Sequence, residues 1–153
     1  MLVTNHALAG GLLGLASRRP VIALPLAFAT HLAMDRVPHW GAGPDRPLFL
    51  RVARTDGLLC LATLGALGAA APRGRRLSVM ATGLACVAPD LDKPGRHFAG
   101  RSPYPRWFDR FHAGLQDGRE HRRLLRRELA VGAVLATAYA AAASAARRRP
   151  PAA

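Results

Sequence analysis

Lysine is almost missing from this 153-residue sequence: Lys93 is the only one among 22 basic residues, and the rest are arginine. Acids are scarce as well, nine in all, which leaves a formal charge of +13 at neutral pH. Aromatic residues make up 6% of the chain, and strand-favouring types are sparse apart from valine. That argues against a β-rich core, while abundant alanine, leucine and arginine favour helix. The two cysteines, Cys60 and Cys86, lie inside apolar segments with no C-x-x-C spacing. They are read as small buried residues, not as a disulfide or a zinc knuckle. The N-terminus lacks a basic region ahead of its apolar stretch, so no secretory signal is expected. Arginine in such excess suits phosphate, in nucleic acid or anionic lipid. No aromatic-interleaved basic strip or DNA-binding motif is found, and specific nucleic-acid binding is not expected.

What the sequence does have is long, predominantly apolar stretches, the third with Arg51, Arg54 and Asp56 in its first turns. Apolar segments run from about Thr4 to Ala16, Val21 to Arg36, Leu48 to Ala71, Leu77 to Ala88 and Leu129 to Ala146. The last holds 18 residues with no charged side chain, long enough to be a spanning candidate, and arginines flank it. The first and fourth are shorter than the ~20 residues needed to cross ~30 Å of hydrocarbon. The expected fold is all-α. It is expected as an antiparallel bundle of about five main helices embedded in or associated with a membrane, with a polar loop (Asp90 to about Pro105) and a short helix (Trp107 to Gln116) before the last; the alternative is a soluble Ala/Leu-rich bundle in which the same segments form the core. A basic helix, Glu120 to Glu128, leads into that last one. Residues 1–146 form the single helical domain and 147–153 a basic, proline-rich tail. The arginines between 119 and 127, beside a spanning candidate, lean the topology towards a cytoplasmic position for that end.

The second apolar segment closes on H-x-x-x-D-x-x-x-H-W, His31 to Trp40. Residues four apart share a helical face, so His31 and Asp35 point the same way. Pro38 disfavours helix at Val37 and lets His39 fold back from a loop. Two nitrogens and one oxygen converging there suit zinc or another divalent metal. The competing reading is a core histidine and a solvated helix-terminal acid.

Antiparallel packing places further candidates at the same pole. His6 opens the first helix, Asp56 lies in the early turns of the third, and Asp90 and Asp92 follow the fourth. Asp90 suits ligation better than Asp92, because it directly follows the apolar helix. His112 and Gln116 share a face of the short helix. His97 and His121 read as surface residues. The opposite pole receives the arginine groups at 18–19, 73–76 and 147–149, with no histidine or acid. Nine acids and six histidines gathered at one end are the pattern of a metal site built by several helices. The expected metal ligands are His6, His31, Asp35, His39, Asp90 and His112. Asp56 is the candidate general base or orienter of an imidazole.

Three short motifs carry a resemblance: T-N-H-A-L-A-G (Thr4 to Gly10), T-H-x-x-x-D-x-x-P-H-W (Thr30 to Trp40) and P-D-L-D-x-P (Pro89 to Pro94). Together they resemble the YdjM-like group of small bacterial inner-membrane proteins described as metal-dependent hydrolases. More distantly, the motif style is similar to zinc-dependent phospholipase C. The resemblance spans about residues 3–121. It implies a bacterial inner-membrane location and a divalent metal, zinc foremost, on His6, His31, Asp35, His39, Asp56, Asp90 and Asp92, with His112 beside them. This sequence departs from the group at Lys93, where histidine is frequent. A lysine there either leaves the group's ligand missing or binds a substrate anion instead.

The expected chemistry is metal-assisted hydrolysis of an anionic, phosphate-containing substrate, a phosphodiester or phospholipid, with membrane lipid as partner. Arg36, Arg51, Arg54 and Arg96 are placed to attract it. The alternative is a non-enzymatic integral membrane protein whose metal or His/Asp cluster is structural, tying helix ends together. A third is an anionic-lipid or nucleic-acid binder using Arg122, Arg123, Arg126 and Arg127.

Overall fold

The computed structural model describes residues 1–17 and 19–148. It is all-helical: α1 (Val3–Ala16), α2 (Pro20–Asp35), α3 (Arg46–Ala70), α4 (Arg76–Val87), α5 (Asp92–Phe98), α6 (Arg106–Gln116) and α7 (Leu125–Arg148). Arg18 and the tail residues 149–153 lie outside the described residues. Of the expected tail, Arg147 and Arg148 complete α7.

Local chemistry explains most boundaries. Pro20 sits at the first position of α2, where its missing N–H costs nothing. Asp45 caps α3 by accepting from the Leu48 N–H at 3.0 Å, so that helix starts two residues before the apolar pattern. Two segments differ from expectation. The stretch from Asp90 is not simply a loop: Ala88–Leu91 forms a 3-10 turn and α5 follows. Pro94 is tolerated because it falls in the first turn of α5, where no intrahelical N–H bond is lost. The basic helix expected from Glu120 also begins later. His121 is extended, and a 3-10 turn at Arg122–Leu124 leads into α7. The last helix thereby takes in Glu128.

Helix α1 lies at the centre and packs against α2, α3, α4 and α7. Its closest neighbour is α4, and glycine makes that approach possible. A Cβ on Gly10 would meet the Thr82 carbonyl oxygen at 2.5 Å and one on Gly14 the Val79 Cα at 2.7 Å. Close backbone approach over small residues is how helices pack where lipid removes a hydrophobic drive between them. The apolar core gathers Leu8, Leu15, Leu67, Val79, Tyr139 and Ala143, and the Tyr139 hydroxyl is satisfied by the Leu67 carbonyl at 2.6 Å.

The outer faces remain apolar. Val21, Ile22, Leu58, Leu61, Leu77, Leu129 and Val134 are all more than half exposed. Two helical stretches, Arg46–Ala70 and Arg122–Arg148, are long and apolar enough to cross a membrane. At the pole rich in arginine, the guanidiniums close helix ends. Arg75 donates to the Leu15 and Ser17 carbonyls at 2.8 and 2.9 Å, and Arg147 donates to Ala70. These are orphan carbonyls at helix C-termini, where positive charge is favoured.

Candidate metal centre

The other pole collects the polar side chains. His6 comes from the second turn of α1, His31 and Asp35 from the last turns of α2, and His39 from the loop behind Pro38. Asp90 lies on the 3-10 turn after α4, and His112 with Gln116 on the inner face of α6. The four imidazoles and Asp35 are at most 1% exposed. So many ionisable groups are withdrawn from water together only where they satisfy one another or hold an ion.

The central contacts are short and uniform. The His31 Nε2 and His112 Nε2 atoms are 3.1 Å apart, and each is 3.2 Å from Asp35 Oδ2. Asp90 Oδ1 stands 3.9 Å from both nitrogens. Two ligand atoms bound to one zinc at 2.0–2.1 Å with tetrahedral angles are roughly 3.3 Å from each other. His31, Asp35, Asp90 and His112 thus form a buried group that could hold a metal ion, with all four ligand atoms within 4.8 Å of one another.

The Nδ1 of His31 lies 2.7 Å from the Cys86 carbonyl. A carbonyl only accepts, so Nδ1 carries a hydrogen and Nε2 is the nitrogen turned inward. It faces an Asp35 carboxylate oxygen at 3.2 Å. Gln116 Nε2 donates to the same Asp35 Oδ2, and a divalent cation between that oxygen and the two imidazole nitrogens would satisfy the three atoms together. A backbone carbonyl fixing the remote nitrogen is also the usual device for orienting a metal-binding imidazole.

Charges around the centre are strongly coupled. Burial alone would depress the His112 imidazole, but the Asp35 and Asp92 carboxylates outweigh it and raise it to about 9. Asp92 Oδ2 is 3.7 Å from His112 Nδ1. For Asp90, burial opposes ionisation, yet the Lys93 ammonium at 2.8 Å holds its carboxyl well below the usual range. Burial likewise works against the charge on Lys93, and Asp90, then Asp35, hold it above the usual lysine value. Lys93, read in the sequence as suited to a substrate anion, is in the structure an ion partner of Asp90 at the rim of the cluster.

His6 and His39 flank the group. His6 stacks on His31 with centroids 3.8 Å apart, and its Nε2 is 3.2 Å from Asp35 Oδ1. The α-amino nitrogen of Met1 is 3.0 Å from the same oxygen. His39 is fixed by a clamp between its loop and residues 119–121. Its N–H donates to the Arg119 carbonyl at 2.9 Å, and its carbonyl accepts from His121 N at 2.8 Å. Its Nδ1 lies 2.8 Å from the Val37 carbonyl. Burial lowers the affinity of His39 for a proton, and the nearby Met1 ammonium adds to that.

Asp56 is the exception. Its carboxylate accepts from Val3 N at 2.6 Å, Thr4 N at 3.2 Å and Thr4 Oγ1 at 2.6 Å. No hydrogen bond or ion pair joins it to an imidazole among the described residues. In place of the role of base or imidazole orienter, the contacts make it a remote cap on the α1 N-terminus, where orphan N–H groups and the helix dipole attract a carboxylate. Glu128 is its counterpart, accepting from Leu2 N at 3.0 Å and Asn5 Nδ2 at 2.9 Å. Glu128 was not anticipated. Its signal was a lone acid at the threshold of an uncharged run, the setting in which an acid needs a named partner. Gln116 also matters: its amide nitrogen lies 2.5 Å from Asp35 Oδ2. His97 and His121 are exposed, and Cys60 and Cys86 are buried free thiols. Arg96 is engaged by Asp109 at 3.1 Å and Asp92 at 3.5 Å, and Arg54 lies over the Phe98 ring.

No family model, curated protein or solved structure matches this chain.

Proposed function

We propose that this chain is a membrane-embedded, zinc-dependent hydrolase of phosphate esters, with its centre at one pole of the bundle. The observation that carries the reading is the triangle of His31 Nε2, His112 Nε2 and Asp35 Oδ2, with sides of 3.1, 3.2 and 3.2 Å. Three potential ligand atoms at that spacing suit a cation. Asp90 would supply the fourth ligand. When bound, a divalent ion acidifies a water and stabilises charge developing on a phosphoryl oxygen. Gln116 orients Asp35 through a hydrogen bond to the same Oδ2, the Cys86 carbonyl orients His31, and Lys93, paired with Asp90, presents an ammonium at the rim to an anionic substrate.

The apolar outer faces support embedding in a bacterial inner membrane. A soluble monomer rarely exposes so much contiguous apolar surface. The short motifs resembling the YdjM-like group point to the same location and chemistry. Complete burial of the four ligands favours a second reading, a closed structural metal that ties α2, α6 and the α4 end together, since structural sites leave no open position.

The test is metal content and turnover of the detergent-purified protein. One zinc or more per chain is expected by mass spectrometry, with hydrolysis of bis(p-nitrophenyl) phosphate or a phospholipid. Both should vanish in the His31→Ala, Asp35→Ala double variant. Unchanged metal content in that variant sinks the metal reading. Bound zinc without turnover of any phosphate ester leaves the structural reading in its place.

A further inference from the structure

Helix α6 buries one face and leaves another without a partner. Phe108, His112 and Gln116 recur every four residues and are buried. Trp107 and Phe111, also four apart, form the neighbouring flank and are 64% and 48% exposed. Two large rings side by side make an apolar patch, not a scattered side chain. The face of α6 opposite its buried one is cationic. Arg106 and Arg110 are exposed there, and neither makes an ion pair among the described residues. Asp109, the one acid within α6, is taken up by Arg96 at 3.1 Å and Ser102 Oγ at 2.8 Å.

The aromatic flank continues onto the outside of α2. The Phe108 ring lies 5.8 Å from Trp107, 6.3 Å from Phe111 and 5.9 Å from Phe28 of α2. Phe28 shares a face of α2 with Leu24 and Val21, at spacings of four and three, and both of these are exposed. An apolar stripe therefore climbs α2 towards the polar pole and ends on Trp107 and Phe111. Helix α2 has 16 residues, about 24 Å of helix against a hydrocarbon layer of ~30 Å. With Arg19 at the opposite surface, its polar end reaches no further than headgroup depth.

We propose that α6 lies in the headgroup layer of an anionic bilayer, with Trp107 and Phe111 among the upper acyl chains and Arg106 and Arg110 against lipid phosphates. Aromatic rings beside arginine match that boundary, apolar on one side and anionic on the other. A second copy of this chain fits the flank less well, because each copy carries a formal charge of +13 and like-charged faces repel. The inference rests on the membrane reading above, not on the metal, and deepens it. His112 and Gln116 occupy the inner face of the same helix, so lipid phosphates stand about one helix diameter, roughly 10 Å, from the centre.

The test reads Trp107 in the full chain, reconstituted into vesicles of equal parts phosphatidylcholine and phosphatidylglycerol. Trp40→Phe leaves Trp107 as the only indole, and the difference between wild type and Trp107→Phe gives the same readout if that variant does not fold. Trp107 fluorescence should fall with lipid brominated near the headgroup end of its chains, fall less with lipid brominated near the methyl end, and resist aqueous iodide. The shallow quenching should weaken in phosphatidylcholine alone and in the Arg106→Gln, Arg110→Gln variant. Trp107 open to iodide and untouched by bromolipid, in protein that stays in the carbonate-resistant membrane fraction, overturns the surface and leaves embedding standing. Protein released by carbonate, with Trp107 still quenched by shallow bromolipid, overturns embedding and leaves the surface standing. Shielding from both quenchers puts protein on the flank and overturns the lipid assignment. Quenching that ignores lipid charge overturns the anionic one.

Discussion

Loading the centre must expel a proton, and the geometry says how many. Asp35 Oδ2 accepts, so in the metal-free triangle the contact with His112 is held by a proton on His112 Nε2. Asp35 and Asp92 raise that imidazole to about 9 against the pull of burial, so at pH 7.5 it is almost fully protonated. An ion entering between His31, Asp35 and His112 displaces that proton, because a ligating imidazole must be neutral. The expected release is about one proton per ion, and affinity should rise about tenfold per pH unit up to pH ~9, where the displaced proton is no longer there. Titration calorimetry of chelator-stripped protein with Zn²⁺, in buffers of different ionisation enthalpy, reads the proton count directly. His112→Ala should remove the pH slope along with most of the affinity. The sign reverses for the metal-free protein. A folded-state value raised from 6.5 to about 9 contributes stability that is present below 6.5 and lost as pH rises through 9. Thermal melts should therefore fall over that window with chelator and not with zinc. Buffer-independent heats and an affinity flat between pH 7 and 8.5 would refute the proton-filled triangle.

Two further outcomes separate the roles of residues in and around the site. Asp56→Asn removes the charge that caps α1 and should lower stability by about 1–2 kcal/mol, measured by thermal unfolding in detergent, while metal content stays that of the wild type. Loss of metal in that variant would return Asp56 to the site. Val134, 68% exposed on α7, faces hydrocarbon in the membrane reading. Val134→Lys should cost roughly 2.5–3.5 kcal/mol of insertion and shift the protein from the carbonate-resistant membrane fraction to the extract or to degradation. Unchanged fractionation would remove α7 from the bilayer.

The helices were legible because their signals are local. Charge-free runs, Pro20 and Pro72 mark ends through backbone chemistry that acts within a few residues. The candidates His31, Asp35, Asp90 and His112 were legible for a related reason: ionisable groups at the ends of apolar segments need partners, and antiparallel packing leaves one pole for them. The segment after Asp90 was misjudged because glycine and proline there imitate a loop, while a proline in a first helical turn costs little. The break at residues 119–121 depends on backbone pairing with His39, eighty residues away in sequence, and no local signal records it.

From the sequence alone came the all-helical class, the polar pole and the residue types able to hold a divalent ion there. These follow from composition, spacing and the cost of burying charge. The tertiary structure decided which groups share an atom-scale neighbourhood. It sent Asp56 and Glu128 to the α1 terminus, turned the two oxygens of Asp35 towards different sets of imidazoles, and aimed His31 Nε2 at His112 by fixing Nδ1 on the Cys86 carbonyl. Such assignments turn on distances of about 3 Å between elements far apart in the chain. Only the packed arrangement of α1, α2, α4 and α6 sets them.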